Sequence, residues 1–232
     1  MTNLSILDDL ADAIENSGPA PKFRRRMGTV SAINTNYTIN VTVAGSTTVL
    51  SNVKYFAHYA PKVGSQVWLD TDGRDWIAVG AIAGSGGQVP SCKVFRTADL
   101  SVATGSAYTT VPWQTTDFDP WGMWSSGAAT NVVAPISGRY LVTAQIEWTG
   151  NATSYRGASL RVNGSNTSNF AFVQNDSSGT ALFSHSISSV RAAQAGDYFQ
   201  LLVRQNSGAA LAMSGTTVAE SHMTVTYLGP DA

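Results

Sequence analysis

The carboxylates of the C-terminal part of the chain are the first groups that could do chemistry. Hydrolysis of a glycosidic bond needs two carboxyl groups facing each other across a cleft. Asp197 lies in a turn sequence and Glu147 in an alternating run, and the spacing gives neither of them a partner. Motifs of serine hydrolases and zinc proteases do not occur, so the sequence predicts no enzyme. The carboxylates beyond residue 90 are Asp99, Asp117, Asp119, Glu147, Asp176, Asp197, Glu220 and Asp231.

The sequence predicts no metal site and no cofactor. Its single cysteine, Cys92, cannot form an internal disulfide, and S-C-K-V-F is typical of a strand. The histidines His58, His185 and His222 are scattered without metal-ligand spacing. Residues 70–75, D-T-D-G-R-D, superficially resemble a calcium loop but lack its ligand series and closing Glu, so a turn is the better interpretation.

The composition favours an all-β fold. Hydrophobic residues make up 43% of the chain and charged residues only 12%, while small polar and β-branched residues are abundant. The net charge of −1 gives no reason to expect a nucleic acid partner. Lys22 and Arg24–Arg26 form a basic cluster that suits a solvated linker or a subunit contact better than a nucleic-acid arm.

The N-terminal residues do not resemble a signal peptide, because Asp8, Asp9 and Asp12 interrupt the apolar positions. No apolar run approaches the length of a transmembrane helix. We therefore expect a protein that folds in a cytoplasm and does not insert into a membrane.

Residues 2–17 are predicted to form one helix within an N-terminal segment, 1–20. Its apolar positions follow the 3-4-3 spacing of a coiled-coil seam, and Gly18-Pro19 ends it. A helix of this length is marginal alone, so it either packs on its own chain or serves oligomerisation or docking. The seam consists of Leu4, Leu7, Ala11 and Ile14.

Residues 22–83 are predicted to form a small barrel of five short strands. The strands are expected at 28–33, 37–43, 47–50, 64–70 and 76–82, with Asp72-Gly73 as a hairpin turn between the last two. A G-x-V strand at the start and V-G-S-x-V with V-G-A-I at the end resemble the OB-type barrels of phage tail and baseplate proteins. Because a basic groove is missing, an adaptor role is favoured over nucleic-acid binding.

The Gly/Ser-rich segment 84–90 is predicted to be a linker, which makes 91–232 a second domain. The run from Pro135 to Trp148 organises this domain. Tyr140, Val142, Ala144, Ile146 and Trp148 alternate with more polar residues, as in a strand with one buried face. Its length predicts a central position in a large sheet.

Four motifs in residues 91–232 resemble the C1q and tumour-necrosis-factor-like jelly roll. The resemblance implies a β-sandwich that forms a compact homotrimer with aromatic and apolar residues at its axis. A collagen-like stalk is missing, and the calcium-binding loops of some members have no clear match. The motifs are P-x-x-G-x-Y-x-V at 135–142, L-x-V-N-G at 160–164, V-x-x-x-x-A-G-D-x-x-x-L at 190–201 and S-H-M-T-V-T-Y-L-G at 221–229.

The order helix, OB-like barrel, linker and jelly roll resembles minor tail or tail-tip proteins of siphophages. This resemblance implies a virion protein, assembled in the host cytoplasm, that attaches to other tail proteins through its N-terminal half. Its trimeric head would contact the host surface, with glycans as the expected ligand. A capsid head fibre or decoration protein is an alternative, and a tail-associated cell-wall hydrolase is less favoured.

Exposed aromatic residues are the expected glycan contacts of such a head, since flat rings provide rigid contact area at small entropic cost. Trp121 and Trp124, in a loop rich in Gly and Ser, are the first candidates, and Tyr155 and Arg156 are secondary. The alternative is that the two tryptophans pack against a neighbouring protomer.

Overall fold

The computed structural model describes residues 24–56, 59–82, 89–165, 168–176, 179–215 and 220–231. The chain divides into two compact units, Met1–Gly87 and Gln88–Ala232. Within the described ranges the only helical element is a 3-10 turn, Ser126–Ala128, and the rest of the regular structure is β-strand. The predicted all-β fold class is therefore confirmed. The predicted helix, with Leu4, Leu7, Ala11 and Ile14, lies outside the described residues.

The N-terminal unit contains a closed five-stranded barrel. Its strands are β1 (Arg24–Ile33), β2 (Ile39–Val43), β3 (Val49–Tyr55), β4 (Gln66–Thr71) and β5 (Trp76–Ala81). They pair in the order β1-β2-β3-β5-β4, antiparallel except between β3 and β5, and β4 closes onto β1. Alternate residues of each strand point into the barrel and exclude water. The core consists of Val30, Ile39, Val41, Val53, Tyr59, Val67, Leu69 and Ala78.

The acidic segment between β4 and β5 is a hairpin turn. The Asp72 carboxylate accepts hydrogen bonds from the backbone N–H groups of Arg74 (2.9 Å) and Asp75 (3.2 Å), which lower the pKa of Asp72. Asp70 pairs with Arg25 across β1 and β4 at 2.7 Å, and a side-chain hydrogen bond from Arg25 lowers its pKa. Of the carboxylates that resembled calcium ligands, Asp72 is thus engaged in turn hydrogen bonds and Asp70 in a surface ion pair.

The C-terminal unit is a sandwich of a seven-stranded and a five-stranded sheet. The seven-stranded sheet consists of β6 (Ser91–Phe95), β7 (Leu100–Val102), β9 (Thr115–Phe118), β11 (Gly138–Trp148), β14 (Phe183–Ala193), β16 (Leu211–Met213) and β17 (His222–Gly229). The five-stranded sheet consists of β8 (Thr109–Thr110), β10 (Val132–Val133), β12 (Tyr155–Val162), β13 (Asn169–Asp176) and β15 (Tyr198–Gln205).

The strand order of the sandwich is that of a jelly roll. The seven-stranded sheet runs β7-β16-β11-β17-β6-β9, with β14 on the other side of β11, and the five-stranded sheet runs β10-β15-β12-β13, with β8 beside β15. From β11 onward the chain crosses from one sheet to the other after β11, after β13, after β14 and after β15. Such crossings between two antiparallel sheets define the jelly roll.

The predicted central strand is confirmed as β11, which pairs with β14 along its whole length and with β17 on its other side. Its apolar residues Tyr140, Val142, Ala144, Ile146 and Trp148 are all buried. The Tyr140 ring lies 5.4 Å from the ring of Phe199 on β15, so this face packs against the five-stranded sheet. The opposite face of β11 is therefore turned away from the second sheet.

The structure corrects several predicted strands. Residues 108–118 do not form one continuous strand but are split into β8 and β9, because Pro112 lacks the N–H that a continuous ladder requires. The strand expected at 47–50 instead runs over Val49–Tyr55. The short strands β7, β10 and β16 were not predicted, since three residues or fewer carry too little periodicity.

Candidate functional site

Residues at even positions of β15 point away from the sandwich core. Phe199, Leu201 and Val203 are buried in the core, so Leu202 and Arg204 lie on the outer face of the five-stranded sheet. We call this surface the outer face. On β15 it carries Gln200 and Leu202, which are buried, and Arg204, which is partly exposed.

Arg204 is the centre of an aromatic cluster on the outer face. Its Cζ atom lies 4.8 Å from the ring centroid of Tyr108 and 5.3 Å from those of Tyr155 and Phe172. Its Nη2 donates a 2.8 Å hydrogen bond to Oε1 of Gln174. No carboxylate lies within ion-pair distance of Arg204 in the part of the chain that the structure describes. Cation–π contacts of this kind contribute roughly 0.5–1 kcal/mol each at exposed sites.

Gly157 leaves the space in which the guanidinium lies. It pairs with Arg204 across β12 and β15, and with Gln174 across β12 and β13. A Cβ at this position would lie 3.4 Å from both Cγ and Nε of Arg204. A larger side chain on β12 would therefore push the arginine off the sheet and away from the rings of Tyr155 and Phe172.

A cavity of about 510 Å³ adjoins the aromatic cluster. The Tyr108 side chain belongs to both, because it borders the cavity and its ring lies against Arg204. The volume is within the usual range of small-molecule sites, roughly 300–1,000 Å³. The cavity is lined by Ser106, Ala107, Tyr108, Thr110, Arg161, Asn169 and Leu202.

Arg161 is held in a fixed orientation beside this cavity. Its Nε and Nη2 donate to Oε1 of Gln200 at 3.0 and 2.7 Å, and Nη2 also donates to Oγ1 of Thr110 at 3.1 Å. Gln200 is fixed in turn, since its Nε2 donates to Oδ1 of Asn131 (2.8 Å) and Oγ1 of Thr130 (3.3 Å). The side-chain network thus joins three strands and a loop around one guanidinium.

The structure places Trp121 and Trp124 in a loop where both are half-buried. The Asp119 carboxylate accepts hydrogen bonds from the backbone N–H groups of Met123 (2.7 Å) and Trp124 (2.9 Å). The indole Nε1 of Trp124 donates to the carbonyl of Ala129 at 3.1 Å. These bonds use the polar edge of Trp124 and hold the loop in place.

Tyr155 and Arg156, the secondary candidates, separate onto opposite faces of β12. Tyr155 belongs to the aromatic cluster, whereas Arg156 is fully buried on the core side. Its guanidinium donates to the carbonyls of Asn151 (3.0 Å), Thr153 (2.9 Å) and Tyr155 (3.1 Å), and burial lowers its pKa. Arg156 therefore does not share the outer face with Tyr155, because neighbouring residues of a strand point in opposite directions.

Sequence reasoning named Tyr155 but missed the other residues that form this site. Arg204, Tyr108, Phe172 and Arg161 come from four segments and meet only through the pairing of β8, β12, β13 and β15. The signal that the sequence offered was a charged residue at an outward position of each of two mainly apolar strands, Arg161 on β12 and Arg204 on β15. Such residues need a reason to stay at the centre of a sheet.

The remaining titratable groups give no second constellation. Cys92 lies on β6 as predicted, and burial together with the neighbouring Asp119 raises its pKa to about 12, so the thiol stays protonated. Among the described residues, no three His, Cys, Asp or Glu side chains are grouped as metal ligands would be. The described part of the chain also contains no helix long and apolar enough to cross a membrane.

No protein-family model matches the sequence, and no curated protein does. The crystal structure of murine APRIL at pH 5.0 is 15% identical and covers 61% of this chain and 100% of its own, with a TM-score of 0.48. The globular domain of zebrafish complement 1qA is 12% identical, covering 60% and 96%, with a TM-score of 0.45.

A third similar structure is Eiger TNF from S. frugiperda. It is 13% identical and covers 62% of this chain and 95% of its own, with a TM-score of 0.43. The jelly-roll assignment itself rests on the strand order of the two sheets.

Proposed function

We propose that the protein is a structural protein of a phage tail tip whose trimeric jelly-roll head binds saccharides of the host surface. The observation that supports this most is the aromatic cluster on the outer face and the polar cavity beside it. Flat rings suit the apolar faces of sugars, while the guanidinium, amide and hydroxyl groups can bind sugar hydroxyls. We therefore place the saccharide contact on the outer face rather than in the loop of Trp121 and Trp124, where the sequence analysis expected it.

The arrangement of the outer face favours binding over catalysis. The central charged group of the cluster is Arg204, a permanent cation that cannot act as an acid or a base near neutral pH. Aromatic rings and neutral amides surround it, and these groups recognise a ligand without transforming it. Binding sites of this kind place a few polar groups in a largely apolar or aromatic surface.

The outward surface of the seven-stranded sheet supports the proposed homotrimer. Leu141 pairs with Val190 on β14 and with Thr226 on β17, and Val190 and Leu228 are each about half exposed. Contiguous apolar side chains on a sheet surface suit contact with another copy of the chain. Because the two sheets face opposite ways, a partner seated here leaves the outer face of the five-stranded sheet open.

The N-terminal unit supports the proposed attachment to a tail. Its closed barrel with the order β1-β2-β3-β5-β4 is similar to the OB-type barrels that the sequence resembles. Barrel closure leaves no long free strand edge, which suits a compact adaptor. A Gly/Ser-rich segment separates this unit from the sandwich in sequence, so a threefold head could sit on a base of different symmetry.

Replacing Phe172 by alanine is expected to lower the binding of the purified protein to host cells at least tenfold, about 1.4 kcal/mol. The ring is 54% exposed and forms one wall of the aromatic cluster. Leu182→Ala is the matched control, because Leu182 is also 54% exposed but is not part of the cluster. Fluorescently labelled protein, counted on cells at several concentrations, provides the measurement.

Both variants should keep a mass of about three protomers in light scattering, which separates loss of binding from loss of assembly. Competition by polysaccharide extracted from the host envelope should displace the wild-type protein. Equal cell binding by Phe172→Ala and the wild type would contradict the proposed function, as would displacement by no envelope saccharide.

A further inference from the structure

Two neighbouring cavities lie at the end of the N-terminal barrel where β1 begins and where β4 turns into β5. The larger, about 500 Å³, is lined by β3 and the β4–β5 hairpin, and the other, about 410 Å³, by that hairpin and the start of β1. Thr71, Asp72 and Trp76 border both cavities. We call the two together the barrel mouth, and each is large enough for part of a ligand.

Two arginines lie on the interior side of the barrel wall at this mouth. Across β1 and β4, Arg24 pairs with Thr71 and Arg26 pairs with Leu69, and both partners are buried. Directly opposed residues of an antiparallel pair place their side chains on the same face. Arg24 and Arg26 are therefore on the face that lines the barrel, but they are exposed and border the smaller cavity because the barrel ends there.

Arg25, which lies between these two arginines in sequence, is on the outer side of the barrel and has partners. Its Nε and Nη2 donate to the two carboxylate oxygens of Asp70 at 2.7 and 2.8 Å, and its Cζ lies 5.9 Å from the ring centroid of Trp68. Among the described residues, neither Arg24 nor Arg26 has a carboxylate within ion-pair distance. The two cations at the mouth are thus available to a ligand.

Trp76 gives the barrel mouth an apolar surface. The residue is half-buried and packs in part against the barrel core, while it also borders both cavities. A flat aromatic ring that is open on one side favours contact with an apolar side chain of a ligand. The mouth therefore combines a ring with unpaired cations.

The mixed charges of the barrel mouth favour a polypeptide over a nucleic acid. Lys54 and Arg74 add two cations to the arginines of β1, and Asp70, Asp72 and Asp75 border the same cavities, with Asp70 already paired to Arg25. Single-stranded nucleic acid is bound by positive grooves with several stacking rings, and carboxylates repel its phosphates. A peptide offers backbone N–H donors to carboxylates and acidic side chains to cations.

We propose that the barrel mouth binds an acidic peptide segment of a neighbouring tail protein. Arg24 and Arg26 bind carboxylates of the segment, Trp76 packs against one of its apolar side chains, and the hairpin carboxylates accept its backbone N–H groups. The identity of the partner as a tail protein rests on the proposed function, and the inference adds the chemistry of that attachment.

The test is a synthetic array of short random peptides probed with the labelled full-length protein, followed by fluorescence anisotropy on the best binders. These peptides should be enriched in Asp and Glu and carry a large apolar residue, and salt should weaken their binding. Replacing both Arg24 and Arg26 by glutamine should lower the affinity at least about tenfold. Trp76→Leu, which keeps an apolar side chain against the core, should lower it at least about fivefold.

Arg25→Gln is the matched control, because it removes the same charge from the outer side of β1. It should lower the affinity by less than about threefold, and Arg24→Gln or Arg26→Gln alone should each have a larger effect. All three arginines are exposed, so these variants decide the test even if Trp76→Leu does not fold.

No bound peptide, no enrichment of acidic residues, or affinities that the arginine substitutions leave unchanged would overturn the inference. Tighter binding of an oligothymidylate probe than of the acidic peptides, lost on replacing Arg24 and Arg26, would overturn it in favour of a nucleic-acid site. Cell binding that depends on Phe172 is a property of the other unit. The proposed saccharide contact would therefore stand if the barrel mouth bound no peptide, and would fall separately if Phe172→Ala bound cells like the wild type.

Discussion

Replacing Trp148 by alanine is expected to lower the free energy of unfolding of the C-terminal unit by about 3–5 kcal/mol. Trp148 is fully buried at the end of β11, paired with Phe183 on β14 and Met213 on β16. Deleting the indole removes its transfer free energy and leaves a cavity that these strands can fill only in part. Such a loss is a large part of the stability of a typical domain.

Two further variants define the cause of the effect. Trp148→Phe should cost less than half as much as Trp148→Ala, because it keeps most of the buried volume. It also removes an indole N–H that has no hydrogen-bond partner among the described residues. Phe172→Ala, at an exposed ring on β13, should change stability by no more than about 0.5 kcal/mol.

Urea unfolding at one fixed protein concentration measures these differences, since the stability of an oligomer depends on concentration. A loss of less than about 1 kcal/mol for Trp148→Ala would show that the end of β11 is not part of a packed core.

Acidification is expected to destabilise the sandwich through His185. The residue is 7% exposed, and its ring lies edge-on to that of Phe183 with 5.6 Å between the ring centroids. Neither ring nitrogen has a hydrogen-bond partner among the described residues. Burial lowers its pKa from 6.5 to about 4. In the unfolded chain His185 therefore takes up a proton near pH 6.5, whereas in the folded protein it takes up that proton only near pH 4.

Stability from neutral His185 is consequently complete above pH 6.5 and is lost as the pH falls toward about 4. The shift corresponds to roughly 3 kcal/mol. When the pH is lowered from 7 to 4, the free energy of unfolding of the wild type should therefore fall by roughly 3 kcal/mol more than that of His185→Leu.

His222→Gln is the matched control for the acid effect. His222 is partly exposed, and its Nδ1 lies 2.9 Å from the carbonyl oxygen of Glu220. Measured beside His185→Leu, this variant separates the buried imidazole of His185 from the loss of a histidine elsewhere in the same sheet. Parallel pH profiles for His185→Leu and the wild type would mean that His185 does not titrate between the folded and unfolded states as its burial requires.

The long strands of the sandwich were predictable because their signals are local. Tyr155–Val162 ends at the turn sequence Asn163-Gly164, and Tyr198–Gln205 begins directly after the turn sequence Ala195-Gly196-Asp197. Asn163 and Gly164 have φ values of 55° and 69°, the backbone that this dipeptide favours in tight turns. Period-two alternation likewise located the buried face of β11.

The candidate site could not be predicted in the same way because it depends on register. Arg204 meets Phe172 only because Gly157 pairs with Arg204 on one side and with Gln174 on the other. A shift of one residue in either ladder would turn the cluster into the core. The local sequences of β12, β13 and β15 do not show which of their residues face one another across the sheet. Two tryptophans in a Gly/Ser-rich loop, by contrast, are easy to recognise in the sequence.

Arg156 is a second example of a residue whose role could not be predicted from the local sequence. Its type and its position beside Tyr155 suggested a ligand contact, but alternation turns it into the core. There it holds the carbonyls of the loop before β12, including that of Asn151. A charged residue within an apolar strand is thus as compatible with loop support as with recognition, and only the face of the sheet separates the two roles.

Photo-crosslinking with an envelope oligosaccharide that carries a diazirine group tests the central proposal most directly. Mass spectrometry of the crosslinked peptides locates the contact without any substitution in the protein. The outer face predicts crosslinks in the peptides that contain Tyr108, Tyr155–Val162, Phe172 and Arg204. Crosslinks confined to residues 119–131, around Trp121 and Trp124, or the absence of crosslinks above a neutral non-binding probe, would contradict it.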